Sequence, residues 1–96
     1  MYAVIFRAEI KQLDQEYSDT AAKLRDRAIE KYGCLDFVAL TEGRQEVAIS
    51  YWETLEQISR WKQDAEHIKA QQLGQSKWYK TYQVQIVEVL STIKSS

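Results

Sequence analysis

Residues that most often carry chemistry are scarce in this chain, which has a single cysteine, Cys34, and a single histidine, His67. One cysteine closes no intrachain disulfide, and one cysteine with one histidine falls short of the four ligands of a structural zinc site. A net excess of either charge is also lacking: 13 Lys and Arg against 14 Asp and Glu leave a net charge of −1, too little field to gather a polyanion, so no nucleic-acid partner is expected. No apolar run approaches the roughly 20 residues of a membrane-spanning helix. The N-terminal run Met1-Tyr2-Ala3-Val4-Ile5-Phe6 meets Arg7 and Glu9 before it reaches signal-peptide length. The expectation is therefore a soluble protein of a reducing cytoplasm, with no membrane partner. There is no glycine-rich phosphate loop, dinucleotide fingerprint, metal-ligand spacing or serine elbow, so no metal and no nucleotide cofactor is expected.

What the chain does have is enough apolar residue, 45%, for one core, and residues 1–96 are read as a single domain. Tyr2, Val4, Phe6, Ala8 and Ile10 alternate with Ala3, Ile5, Arg7 and Glu9, the two-residue period of a strand. From Asp14, a good N-cap, Tyr17, Ala21, Leu24 and Ala28 recur at helical spacing until Gly33, which accepts the left-handed backbone that ends a helix. Leu35 to Thr41 and Glu46 to Trp52 read as strands, and Glu42-Gly43-Arg44 is short enough to make them a hairpin. Thr54 caps a second helix whose Leu55, Ile58, Trp61, Ala65 and Ile68 share one face, with Gly74 at its end. A last strand runs from Thr81 to Leu90, with Tyr82, Val84, Ile86 and Leu90 on one face. The order β-α-β-β-α-β predicts a ferredoxin-like α+β fold: a four-stranded antiparallel sheet with both helices on one side.

A sheet covered on one side only shows polar residues on the other. These strands largely do not: Ala3 and Ile5 back the apolar face of the first strand, and Val38 and Leu40 oppose Leu35, Phe37 and Ala39. A chain of this size has no element left to cover that surface, so a second copy packed face to face, a homodimer, is predicted.

All three tryptophans and the histidine fall in the second half. Trp61 lies in the apolar stripe of the second helix, as core or as the wall of a pocket for a planar ligand. His67 is the natural base for an acidic phenol. On an unbroken helix, however, the six residues from Trp61 rotate it by roughly 240° onto the polar side with Arg60, Asp64 and Gln71. Only a break near Gln63-Asp64 reverses that. Arg7 shares a strand face with Ala3 and Ile5, assigned here to the helices, where it either pairs with a helix carboxylate or clamps an anionic oxygen. Trp52, Trp78 and Tyr79 stand at element ends, more suited to architecture than to chemistry, with pocket lining as their alternative role. Cys34 is a small apolar filler.

Tyr2-Ala3-Val4-Ile5-Phe6, Ser50-Tyr51-Trp52-Glu53, Trp61-Lys62, Asp64-Ala65-Glu66-His67, Ala70-Gln71 and Trp78-Tyr79-Lys80 together resemble the antibiotic biosynthesis monooxygenase family over nearly the whole chain. The resemblance implies a dimeric α+β barrel with a pocket in each subunit between sheet and helices. It also implies one of two activities: cofactor-free oxygenation of anthrones or quinols, or haem degradation. The haem-degrading members use an Asn, a Trp and a His, and at those positions this chain has Arg7, Trp61 and Gln71. Glutamine is not a usual axial ligand of haem iron. The resulting expectation is a small monooxygenase acting on an aromatic or quinol-type molecule without flavin or metal. His67 and Arg7 are its candidate catalytic residues, and Trp61, Trp52, Trp78, Tyr79 and Gln71 its candidate binding residues. A non-catalytic ligand-binding or stress-response dimer is the alternative. An RNA-recognition module shares the architecture, but strand Gln45 to Trp52 lacks its basic, glycine-rich pattern.

Overall fold

A computed structural model describes residues 1–95. Strand β1 spans Tyr2–Ile10, helix α1 Gln15–Lys31, β2 Asp36–Glu42 and β3 Gln45–Trp52. Helix α2 spans Leu55–Lys62 and α3 Ala65–Leu73; a π-helical turn, Gly74–Trp78, then leads into β4, Tyr79–Glu88. All strand pairs are antiparallel, in the order β2-β3-β1-β4. This is the ferredoxin-like α+β fold the pattern predicts, with one difference of substance. The second helix is two helices.

The local chemistry explains each boundary. Asp14 has extended backbone and its carboxylate accepts the Tyr17 N–H at 2.9 Å, capping α1. Thr54 and Gln57 form a reciprocal capping box that starts α2. Gly33 takes φ +84°, where a Cβ would come within 2.7 Å of the Gln57 side chain, so glycine is needed there for conformation and for space. Gly74, by contrast, is in ordinary helical backbone, φ −59°, and does not stop the helix as expected. It is small because a Cβ would strike the Tyr79 ring at 2.9 Å.

Register fixes the two faces of the sheet. Val4 pairs with Ser50 and Ile86, and Tyr2 with Trp52. Val4 and Trp52 belong to the buried core with Ala28, Cys34, Ile58 and Trp61, so their face carries the helices. Ala3, Ile5 and Arg7, aligned with Tyr51, Ile49 and Val47, point the other way. The assignment of Arg7 to the helix side is therefore corrected. Strict alternation along β1 sets the reason: with Val4 and Ala8 turned to the helices, Arg7 falls on the opposite face. Arg7 is exposed and borders a shallow depression of about 250 Å³ with Glu9, Gln45, Thr81 and Gln83. The same open face carries Val38, Val87 and Leu40, the last 71% exposed.

Candidate active site

The break between α2 and α3 decides the site. Asp64 adopts φ −61°, ψ 138°, interrupting the helix, and its side chain accepts the Glu66 N–H at 2.9 Å to begin α3. The restart changes which residues face inward. Ile68 and Ala65, expected in the buried stripe, are exposed, Ile68 by 43%. His67, expected on the polar side, turns in and meets Trp61 edge to face, centroids 4.5 Å apart at 79°. The structure thus corrects the continuous-helix reading in favour of the break named as its exception.

Trp61 is 6% exposed and lies between Trp52, at 5.1 Å and 35°, and Phe37, at 6.1 Å and 86°. Trp52 is completely buried and its Nε1–H donates to Ser50 Oγ at 2.8 Å. It is the wall behind Trp61, with no surface left for a ligand. The indole N–H of Trp61 and Nδ1 of His67, both buried, have no hydrogen-bond partner among the described residues. Burial, with a further contribution from the charge of Lys62, lowers the His67 pKa, so the imidazole is neutral at pH 7 and able to take a proton. An open groove of about 410 Å³ lies between α2 and β4, lined by Leu55, Ile58, Ser59, Lys62, Gln63 and Ile86, with Trp61 and His67 themselves outside its lining. Ile58 is shared between the groove and the Trp61 core, and the charge of Lys62, on the groove wall, acts on His67.

Behind the break stands a network that residue types alone do not reveal. Asp64 accepts from Arg27 Nε at 3.1 Å, from Arg27 Nη2 at 2.6 Å and from the Tyr32 hydroxyl at 2.5 Å. These hydrogen bonds, led by Arg27, hold its carboxyl well below the usual carboxylate range. The available signal was Asp64-Ala65-Glu66, an N-cap with an acidic first turn, inside an otherwise helical stretch.

Trp78 and Tyr79 belong to a different group. With Phe6, Tyr17 and Tyr82 they pack at centroid separations from 5.2 to 6.5 Å. Trp78 Nε1–H donates to Asp14 Oδ1 at 3.2 Å, and Lys77 bridges Asp14 and Glu16 at 2.7 and 3.0 Å. Glu46, buried at this end, accepts from the Thr41 hydroxyl. Burial, then the neighbouring Tyr17 and the Glu46 charge, raise the Tyr79 phenol well above its usual range. Glu46 and Trp52 are six residue steps apart along β3, about 20 Å at strand rise. Trp78 and Tyr79 fasten the π-helical turn to α1 and do not meet Trp61. Gln71 is exposed on α3. Arg7, Trp61 and Gln71, the three positions corresponding to the haem-degrading set, are thus on the open face, in the core and at the surface. They do not converge on one cavity that could hold a haem.

Solved structures align over almost the whole chain. SnoaB of Streptomyces nogalater, a cofactor-independent oxygenase, superposes in a mutant form with a TM-score of 0.81 at 13% identity, covering 98% of this chain and 97% of that one. A protein of Nitrosomonas europaea provisionally assigned as an antibiotic biosynthesis monooxygenase gives 0.78 at 17%, covering 95% and 100%. The fold is that of the antibiotic biosynthesis monooxygenases. No family model matches the sequence. The uncharacterised YqjZ protein of Bacillus subtilis is 33% identical over 90 residues, 92% of this chain and 78% of that protein, and the chain belongs to the same family as YqjZ.

Proposed function

We propose that this protein is a small monooxygenase that oxidises a hydroxylated aromatic or quinol-type molecule without flavin or metal. One observation carries the reading: a buried donor, Trp61 Nε1–H, and a buried ring nitrogen, His67 Nδ1, which accepts in the Nε2–H tautomer, lie on rings in contact and neither has a hydrogen-bond partner among the described residues. Buried polar atoms are nearly always paired. A phenolic or enolic hydroxyl complements both, since its oxygen accepts from Trp61 while its proton goes to His67. The aromatic body of the substrate lies in the apolar groove between α2 and β4, with Lys62 near the developing anion. The deprotonated, electron-rich ring then reduces dioxygen directly. One oxygen atom is added to the substrate and the other leaves as water, the substrate supplying the electrons.

The likeness to a cofactor-independent oxygenase supports this reading at the level of the fold. We extend the proposal to a homodimer formed through the open face, where Ile5, Val38, Leu40 and Val87 leave an apolar surface uncovered in one copy. A reducing cytoplasm suits the free, buried Cys34. Among the described residues no helix is long and apolar enough to cross a membrane.

Oxygen uptake with a panel of anthrones and hydroquinones tests the activity. Uptake above the uncatalysed rate that is abolished by His67→Gln supports it. No uptake, with ligand binding retained, assigns the protein to a ligand-binding role on the same fold.

A further inference from the structure

We propose that Asp64, Arg27 and Tyr32 are positioning residues, a clamp between α1 and the start of α3 that sets His67 against Trp61. The proposal rests on reading His67 as the base, but its geometry stands apart from that chemistry. A continuous helix from Leu55 to Leu73 would turn His67 away from Trp61 by roughly 240°. The pair exists because the chain is extended at Asp64, so whatever holds that residue holds the pair.

Capping alone does not explain what is found there. A helix start is served by any short polar side chain at the surface, with serine and asparagine as good as aspartate. Here the carboxylate is 3% exposed and takes, besides the Glu66 N–H, a two-pronged contact from Arg27 and a hydroxyl from Tyr32. Burying a carboxylate is costly unless it is paired this well. Both partners come from the end of α1: Arg27 lies in its last turns and Tyr32 is its C-cap. Helix α1 reaches α3 directly, whereas α2 and α3 touch each other little. The clamp therefore fixes α3 against α1, and with it the direction in which His67 points. The charged groups acting on His67 are Lys62 from the end of α2 and Asp64 itself.

Three variants of the full chain test this: Asp64→Ser, which keeps a capping oxygen but cannot bridge to α1, together with Arg27→Gln and Tyr32→Phe, which leave the cap untouched. The readouts are the His67 ring-proton titration by NMR and, where the wild type consumes oxygen, kcat and KM across pH. Removing the Asp64 charge by itself lowers the His67 pKa, because a nearby carboxylate favours imidazolium. Releasing the ring to solvent raises it, so the two explanations differ in sign. In Asp64→Ser the His67 pKa is expected to rise towards the ordinary imidazole value. There kcat falls by about a hundredfold, the scale for a misplaced catalytic group, with little change in KM. Arg27→Gln and Tyr32→Phe shift both in the same direction by less.

A folded protein whose His67 titration stays put or moves down in Asp64→Ser and Tyr32→Phe overturns the clamp, since Arg27→Gln removes a cation and raises the value by charge alone. Tyr32→Phe, which changes no charge, carries the test if Asp64→Ser does not fold. If the titration shifts as expected while the wild type consumes no oxygen, the clamp stands and the oxygenase assignment falls.

Discussion

Replacing Trp61 with phenylalanine keeps most of the buried ring and removes the N–H on which the proposed chemistry depends. In the free protein two effects oppose each other. Phe lacks the pyrrole part of a side chain that is 6% exposed and packed against Trp52, Phe37 and His67. The area and cavity lost there cost about 1–2 kcal/mol. The deleted N–H, however, is buried without a protein partner, and such a group carries a desolvation penalty of about 1–3 kcal/mol. The net change is expected to fall within about 1 kcal/mol of zero, whereas truncating a core tryptophan to alanine costs about 3–5 kcal/mol.

Substrate reverses the balance. A donor facing an oxygen that becomes anionic is worth about 1.5–3 kcal/mol, a loss of roughly tenfold to a hundredfold in kcat/KM. Urea unfolding and oxygen-uptake kinetics on the same preparation measure the two halves separately. Destabilisation beyond about 3 kcal/mol shows that the N–H is engaged in the free protein. Full activity in Trp61→Phe shows that it does not meet the substrate, and either result refutes the argument.

The remaining expectations concern pH, backbone and assembly. Burial, then Lys62, depresses the His67 pKa from 6.5 in the folded protein, so the unfolded chain binds the proton first on acidification. This contribution to stability is present above about pH 6.5 and is lost as pH falls towards the folded value, and His67→Gln flattens that part of the urea midpoint against pH. For the same reason the acid limb of kcat/KM is expected below 6.5, and a limb above it would count against His67 as the base. Gly33→Ala forces a Cβ onto φ +84° and against Gln57 of the α2 capping box. The expected destabilisation is about 1–3 kcal/mol, read as a lower thermal midpoint, and an unchanged midpoint would show that Gln57 yields freely. Leu40→Asp places a charge on the open face, where Leu40 is 71% exposed in one copy. Light scattering is expected to report about twice 11.3 kDa for the parent chain and 11.3 kDa for the variant. A parent mass of 11.3 kDa removes the dimer.

The elements were legible in the sequence because their signals are local: alternation in β1, the caps Asp14 and Thr54, and a hairpin turn at Gly43, whose φ is +58°. What was not legible depended on which way an element faces. Arg7 was assigned to the helix side because both faces of β1 carry apolar residues, and alternation does not say which of two apolar faces meets the helices. The site was misread at His67 for a related reason. Helical spacing from Leu55 to Ile68 fits a single apolar stripe, and periodicity averages over one residue that leaves the helix. Asp64 does so because a tertiary partner, Arg27, lies 37 residues earlier in the chain. No window on the sequence contains both.

The three tryptophans show what distinguishes a candidate reaction site from architecture in this fold. Burial does not rank them, since all three are nearly inaccessible. Aromatic contact does not either, because each packs against other rings. Hydrogen bonding separates them. Trp52 gives its N–H to Ser50, and Trp78 gives its own to Asp14, where Lys77 completes the charge balance. Those two indoles are finished as structural parts, and adding a ligand would mean breaking a bond already made. Trp61 alone among the three has an N–H left over, and the neighbouring imidazole has a nitrogen left over with it. An interior that satisfies its other indoles and leaves two polar nitrogens on touching rings unpaired is stable only at a cost of about 1–3 kcal/mol for each group. A substrate hydroxyl that pairs with both recovers that cost on binding, so the pair contributes specificity as well as a base.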